Sequence, residues 1–173
     1  FMFVGTMKER KGLLPSLQAF VKFNRSHPGY KFYVVSDKGF GASSKSSYLK
    51  EVIEIIEKYP DEIVLTGKLS EKELIKLYQK TTANILVSIS NELVFEGFGL
   101  IHVEANLCGS LTIGGKDSPN EEIIKEGVNG YLADGHNVNS IYEALIKSSQ
   151  RVKEQDNKEL TKICRKSGER FTW

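Results

Sequence analysis

Six short apolar runs punctuate this chain, at residues 1–4, 30–35, 63–65, 83–87, 111–113 and 130–133. None alternates apolar with polar residues, so both faces of each strand are expected to be covered. Between the runs the apolar residues recur at helical spacing. Strands separated by helices lie parallel, because a hairpin cannot join them. Right-handed crossovers then lead to a doubly wound α/β fold: a six-stranded parallel sheet with helices on both faces.

The helical stretches carry their own punctuation. Leu13, Leu17, Phe20 and Val21 recur up to His27-Pro28-Gly29, which reads as a stop. Leu49, Val52, Ile53 and Ile56 form the apolar face of a second helix. Ser70 followed by Glu73 reads as a capping box for a third, with Leu74, Leu77 and Tyr78 on its apolar side. Cys108-Gly109 places a glycine just past the end of a fourth. A short helix is predicted over 121–126, closed by Gly127, and two more over 139–150 and 158–170.

A chain of 173 residues with 40% hydrophobic and 27% charged residues is one soluble globular domain. A net charge of +2 is no nucleic-acid signature by itself. No apolar run approaches the ~20 residues of a membrane span, and no signal peptide is visible. Cys108 and Cys164 are isolated, which argues against a disulfide framework or a zinc site. A cytoplasmic location is the expectation. The chain starts inside an apolar strand and stops at Phe171-Thr172-Trp173, so it reads as one domain of a longer protein.

In open α/β sheets ligands bind outside the carboxyl ends of the strands. Four loops are expected on that edge: 5–12, 36–47, 66–69 and 88–99. The last holds the richest signal. The fourth strand leads through a polar loop to Phe95-Glu96-Gly97-Phe98-Gly99-Leu100, and then to an apolar helix containing Glu104. The glycines let a backbone approach a ligand, and a helix start with its unpaired N–H groups suits phosphate. Gly99 to Glu104 is an axial rise of roughly 7–8 Å, close to the reach from a terminal phosphate to a ribose. Lys8, Arg10 and Lys11 sit in the first loop, where Lys11-Gly12 is expected to start a helix and neutralise phosphate charge.

Other motifs carry less. Residues 39–46 nearly spell a P-loop, with Ser44 where glycine is needed, and read as a flexible loop. Glu96 and Glu104 do not make a glycosidase pair, because Glu104 lies inside the helix and cannot face its partner across a bond at about 5–10 Å. His102, between Ile101 and Val103, reads as a helix-surface or sheet-packing residue. Ser88 and Ser90 have no triad around them. No Asp-x-Asp is present.

Glu96-Gly97-Phe98-Gly99-Leu100, Glu104-Ala105 and Cys108-Gly109 resemble the signature of the retaining glycosyltransferases of family 4, which have the GT-B fold. The two glutamates match that family's E-x7-E spacing. The similarity runs along the chain, through Gly5-Thr6 and Lys11-Gly12, Gly67-Lys68-Leu69, Glu122-Ile123-Ile124, Gly127, Asn129-Gly130 and Phe171-Thr172-Trp173. It departs at Thr6, where the family usually has arginine, so that one diphosphate cation is either missing or supplied elsewhere, by Lys8 or Arg10. It also departs at Leu111, in the 88–95 loop, and at Ser118-Pro119, where a glycine pair often sits.

The resemblance implies the C-terminal, donor-binding half of a GT-B enzyme that holds a nucleotide-diphosphate sugar. It implies transfer to a hydroxyl acceptor with retention, as in glycan, lipopolysaccharide or capsule synthesis, with no metal and no other cofactor. Lys11 would contact the diphosphate and Glu96 the donor sugar, as catalytic residues. Gly97, Phe98, Gly99 and Leu100 would hold the diphosphate through their backbone, Glu104 the ribose and Leu69 the base, with Thr6 in the first loop. A glycan or lipid-linked acceptor, and any membrane contact, would come through an N-terminal domain absent from this chain, and the isolated domain is expected to be inactive. Alternatives are a GT-B enzyme of other chemistry, an epimerase or phosphorylase, and a catalytically silent nucleotide-binding module.

Overall fold

The computed structural model describes residues 1–37, 46–89 and 99–171. Six strands form one parallel sheet: β1 (Met2–Val4), β2 (Phe32–Val35), β3 (Ile63–Leu65), β4 (Ala83–Leu86), β5 (Leu111–Gly115) and β6 (Gly130–Ala133). Their order is β3-β2-β1-β4-β5-β6. The chain thus builds outward from β1 in one direction and from β4 in the other. The strand order reverses between β1 and β4, the place where an open α/β sheet forms a crevice at its carboxyl edge.

Among the described residues seven α-helices cover the sheet: α1 (Leu13–Ser26), α2 (Ser47–Lys58), α3 (Glu71–Lys80), α4 (Leu100–Leu107), α5 (Asn120–Ile123), α6 (Val138–Glu154) and α7 (Asn157–Glu169). On one face α1 packs against α2 and α6. Its buried Leu13, Leu17, Phe20 and Phe23 follow the expected spacing, over Phe3, Phe32 and Val34 of the sheet. The Phe1, Phe23 and Tyr30 rings meet edge-on and stacked at 5.1–5.6 Å between centroids. On the other face Met2, Val35, Tyr78 and Ala105 form a cluster joined by Leu69 and Leu74. Val103 of α4 packs beside Ile123 and Ile124, and α7 lies along α4.

The punctuation holds at most boundaries. Ser70 accepts from the Glu73 N–H while the Glu73 carboxylate accepts from the Ser70 N–H, a complete capping box. Gly109 has φ +89°, as a residue past a helix end requires. Lys11-Gly12 leads into the helix as expected: Glu9–Lys11 form a single 3-10 turn, Gly12 (φ +68°) stands at the N-cap, and α1 begins at Leu13. One expectation is corrected. The helix expected over 121–126 is only Asn120–Ile123, because Glu126 bridges to Gly130 and draws the backbone into extended form.

His102 is wholly buried against the sheet, with Nδ1 paired to the Thr112 hydroxyl. It is therefore the sheet-packing alternative. Among the described residues no helix is long and apolar enough to cross a membrane.

Candidate functional site

The exit of β4 is tightly held. The Ile89 N–H donates to the Arg10 carbonyl at 2.8 Å, which ties the end of β4 to the loop after β1. A Cβ on Gly12 would stand 2.5 Å from the Val87 carbonyl oxygen, and one on Gly135 2.6 Å from the same atom. A Cβ on Gly115 would stand 2.6 Å from the Ser88 oxygen. Three separate segments thus press on two consecutive peptides.

Above this clamp lies a cavity of about 470 Å³, lined by Val4, Gly5, Thr6, Lys8, Arg10, Lys11, Leu86, Gly99, Leu100 and Ile101. It opens at the divide between β1 and β4, where the topology demands a crevice. The loop after β1 brings three cations to one wall, and the start of α4 forms the other. A larger depression of about 580 Å³ runs along α7, but its walls are that helix's own residues, including Lys158, Lys162 and Arg165. No groups from different elements converge there.

Gly99 caps α4 with φ +70°, and a Cβ on it would lie 2.5 Å from the Asn120 carboxamide oxygen. Only glycine fits this turn. The first-turn N–H groups and the positive end of α4 therefore face the cavity without a side chain at the cap. Leu100 is 63% exposed at the lip, the most exposed of the large hydrophobic side chains among the described residues. An apolar side chain left open on a cavity wall is suited to ligand contact.

Glu104 lies further along α4, and its carboxylate accepts from the Tyr78 hydroxyl at 3.4 Å. Burial beside α3 raises the Glu104 pKa, and the Tyr78 hydrogen bond opposes that rise. Burial, and then the neighbouring carboxylate, push the Tyr78 phenol well above its ordinary value. Removing the hydroxyl takes away a donor that favours the ionised carboxylate. In Tyr78→Phe the Glu104 titration is therefore expected to move to higher pH, as followed by NMR of the labelled side-chain carboxyl. An unchanged or lowered midpoint would count against the hydrogen bond. Leu69, half-buried, packs on the cluster that holds Tyr78 and Ala105, on the same face of the sheet as Glu104.

The structure thus brings Thr6, Lys11, Gly99 and Leu100 to one cavity, and sets Glu104 and Leu69 beside it on the α3–α4 face. Glu96, Gly97 and Phe98 lie outside the described residues, as does most of the near-P-loop at 39–46. Two residues escape sequence reasoning. Tyr78 reads as one of an apolar stripe, though its hydroxyl is a signal. Asn120 is the first residue of α5, and sequence reasoning assigns it nothing.

The model of the family described as "Glycosyl transferases group 1" matches residues 1–167. The chain belongs to this family. It is 24% identical over 139 residues to the D-inositol 3-phosphate glycosyltransferase of Acidothermus cellulolyticus, covering 78% of this chain and 30% of that protein. The glycosyltransferase of Rickettsia africae ESF-5 superposes with a TM-score of 0.78 at 20% identity, over 98% of this chain and 42% of the other. The pneumococcal O-GlcNAc transferase GtfA, solved in complex with UDP and GlcNAc, superposes with a TM-score of 0.72 at 25% identity, over 98% of this chain and 32% of the other. The chain therefore spans about a third to two fifths of the length of these group 1 relatives and GT-B neighbours.

Proposed function

We propose that this domain binds a nucleotide-diphosphate sugar and serves retaining transfer of the sugar to a hydroxyl acceptor, as a family 4 enzyme. The observation that carries the reading is the convergence of Lys8, Arg10 and Lys11 with the N-terminus of α4 across one cavity. A cation and a helix start together suit a diphosphate. The relative solved with UDP and GlcNAc supports the donor class.

In this reading the bond between the sugar's anomeric carbon and the diphosphate oxygen breaks, and negative charge collects on the diphosphate. Lys11 and the α4 N–H groups stabilise that charge as it develops, with no bound metal. Thr6 brings no charge, so Lys8 or Arg10 supplies the second cation. Glu104 accepts from the ribose hydroxyls, Leu69 borders the base, and Glu96 with Gly97 and Phe98 serves the sugar and diphosphate. The acceptor is a glycan or lipid-linked hydroxyl held with a domain outside this chain, so the isolated domain turns over little or nothing.

Calorimetric titration with UDP, GDP and ADP, without metal and repeated on Glu104→Ala, tests the reading. Binding of one diphosphate, weakened about tenfold or more by the loss of a charge-assisted contact, is the expected result. It also names the base. Because ribose recognition needs the carboxylate, binding should weaken as pH falls through the raised Glu104 pKa. Full-length protein that binds none of the three would remove the donor site.

A further inference from the structure

The Tyr78 ring is 1% exposed and packs against the sheet and α4, in the cluster with Met2, Val35 and Ala105. Its hydroxyl has one hydrogen-bond partner among the described residues, the Glu104 Oε2 atom at 3.4 Å. The Glu104 carboxylate in turn has no second donor among them, and no lysine or arginine pairs with it there. The titratable groups around it are Tyr78 from α3 and Cys108 from the next turn of α4, with Arg165 of α7 acting on that thiol. Burial keeps the Tyr78 phenol protonated, so it remains a donor wherever the carboxylate is ionised.

Glu104 itself stands exposed on α4. A glutamate on a helix surface samples several rotamers, and fixing it on a ligand costs that freedom. Here one of its two oxygens is tied to a ring locked by packing, and the other stays open. A binding group is held in one direction by this kind of support. The same ring reaches both sides of the proposed site: Leu69 and Val4 pack on its cluster, and Val4 lines the cavity. The family resemblance gives Glu104 the ribose, and it gives Tyr78 no part.

We propose that Tyr78 is a positioning residue that fixes the Glu104 carboxylate towards the hydroxyls of the nucleotide's ribose, so that the site favours ribonucleotides over deoxyribonucleotides. This rests on the donor-site reading above. Tyr78 does not touch the ligand and acts through Glu104. A carboxylate already aimed at a hydroxyl discriminates against the analogue that lacks it.

The test is calorimetry on the full-length protein, as wild type, Tyr78→Phe, Glu104→Ala and the double variant. The probes are UDP, GDP and ADP, each beside its 2′-deoxy counterpart. The wild type is expected to bind one ribonucleotide about tenfold more tightly than the deoxy form, the worth of a hydrogen bond to a charged group. Tyr78→Phe keeps the ring and its packing. It should lose about fivefold for the ribonucleotide and less than about twofold for the deoxy form, the hydroxyl carrying one hydrogen bond. Added to Glu104→Ala, it should change binding by less than about twofold, because the two residues act as one unit. The pH below which the ribonucleotide is released should rise in Tyr78→Phe, since the lost donor favoured the ionised carboxylate.

Equal losses for ribonucleotide and deoxy form, or the same loss in the Glu104→Ala background, would overturn the proposal and leave Tyr78 as a packing residue. No loss, no preference for ribose in the wild type, or an unmoved pH of release would overturn it as well. A wild type that binds no nucleotide would instead overturn the donor-site reading, and binding that Glu104→Ala leaves intact would remove that residue from the ribose. This proposal would fall with either.

Discussion

Lys11→Ala in the full-length protein is expected to slow sugar transfer by about 10²–10³-fold, the usual cost of removing one preorganised group from developing charge. Lys11 ends the 3-10 turn on the cavity wall opposite the start of α4. In the proposed donor site its charge would meet the diphosphate from the side opposite the helix amides. The effect should fall on kcat more than on KM, because the charge it meets grows as the bond to the sugar breaks. Lys8→Ala, at the same wall, should cost less, since that side chain is more exposed and its charge is better screened by solvent. Steady-state kinetics on both variants checks this. A Lys11→Ala enzyme within threefold of the wild type would remove lysine from the catalytic role.

Gly12→Ala is expected to cost about 2–5 kcal/mol of folding stability, from left-handed backbone strain plus an overlap that cannot relax. Gly12 has φ +68°, and its added methyl would meet the Val87 carbonyl oxygen at 2.5 Å and the Val87 side chain at 2.7 Å. The carbonyl belongs to the chain just past a central strand, so it cannot step aside. Gly127 provides the control. Its φ is +73°, nearly the same, but a Cβ there meets nothing within 4 Å. Gly127→Ala should therefore show the strain alone, about 1–2 kcal/mol. Denaturant unfolding of the two variants separates strain from overlap. Equal losses would mean that the loop after β1 is not pressed on β4 in solution. For a domain stable by 5–15 kcal/mol, the Gly12 change removes a large share of the total.

Much of this architecture is legible in the amino-acid order. Short apolar runs without alternation gave the six parallel strands, because burial on both faces leaves no polar positions to alternate. Ser70 with Glu73 marked the start of α3, since that pair has a local chemistry independent of the rest of the fold. The boundary that moved was set beyond the helix itself: the bridge between Glu126 and Gly130 draws the chain into extended form and shortens α5.

The site shows the same division. The cations after β1 and the glycine before α4 stand out in the sequence, and the sheet order brings them together. Tyr78 and Asn120 do not stand out. Tyr78 matters through a carboxylate 26 residues away, and Asn120 through a glycine that precedes it by a full β-α unit. Their roles arise from packing across the sheet face. A helical wheel of α3 sorts Tyr78 with the leucines, and the local sequence around Asn120 shows only a polar residue at a helix start.

The three glycines pressed on Val87 and Ser88 have a consequence for how the protein tolerates change. Gly12 and Gly135 come from two different loops and Gly115 from the end of β5, and each gives up a side chain so that the same short stretch of main chain can pass. In a saturation screen scored by transfer, all three should rank among the least replaceable positions, although none is assigned a contact with donor or acceptor. Intolerance mapped in this way would outline a footprint wider than the ligand's own. The extra margin would trace the path along which the exit of β4 is kept in place.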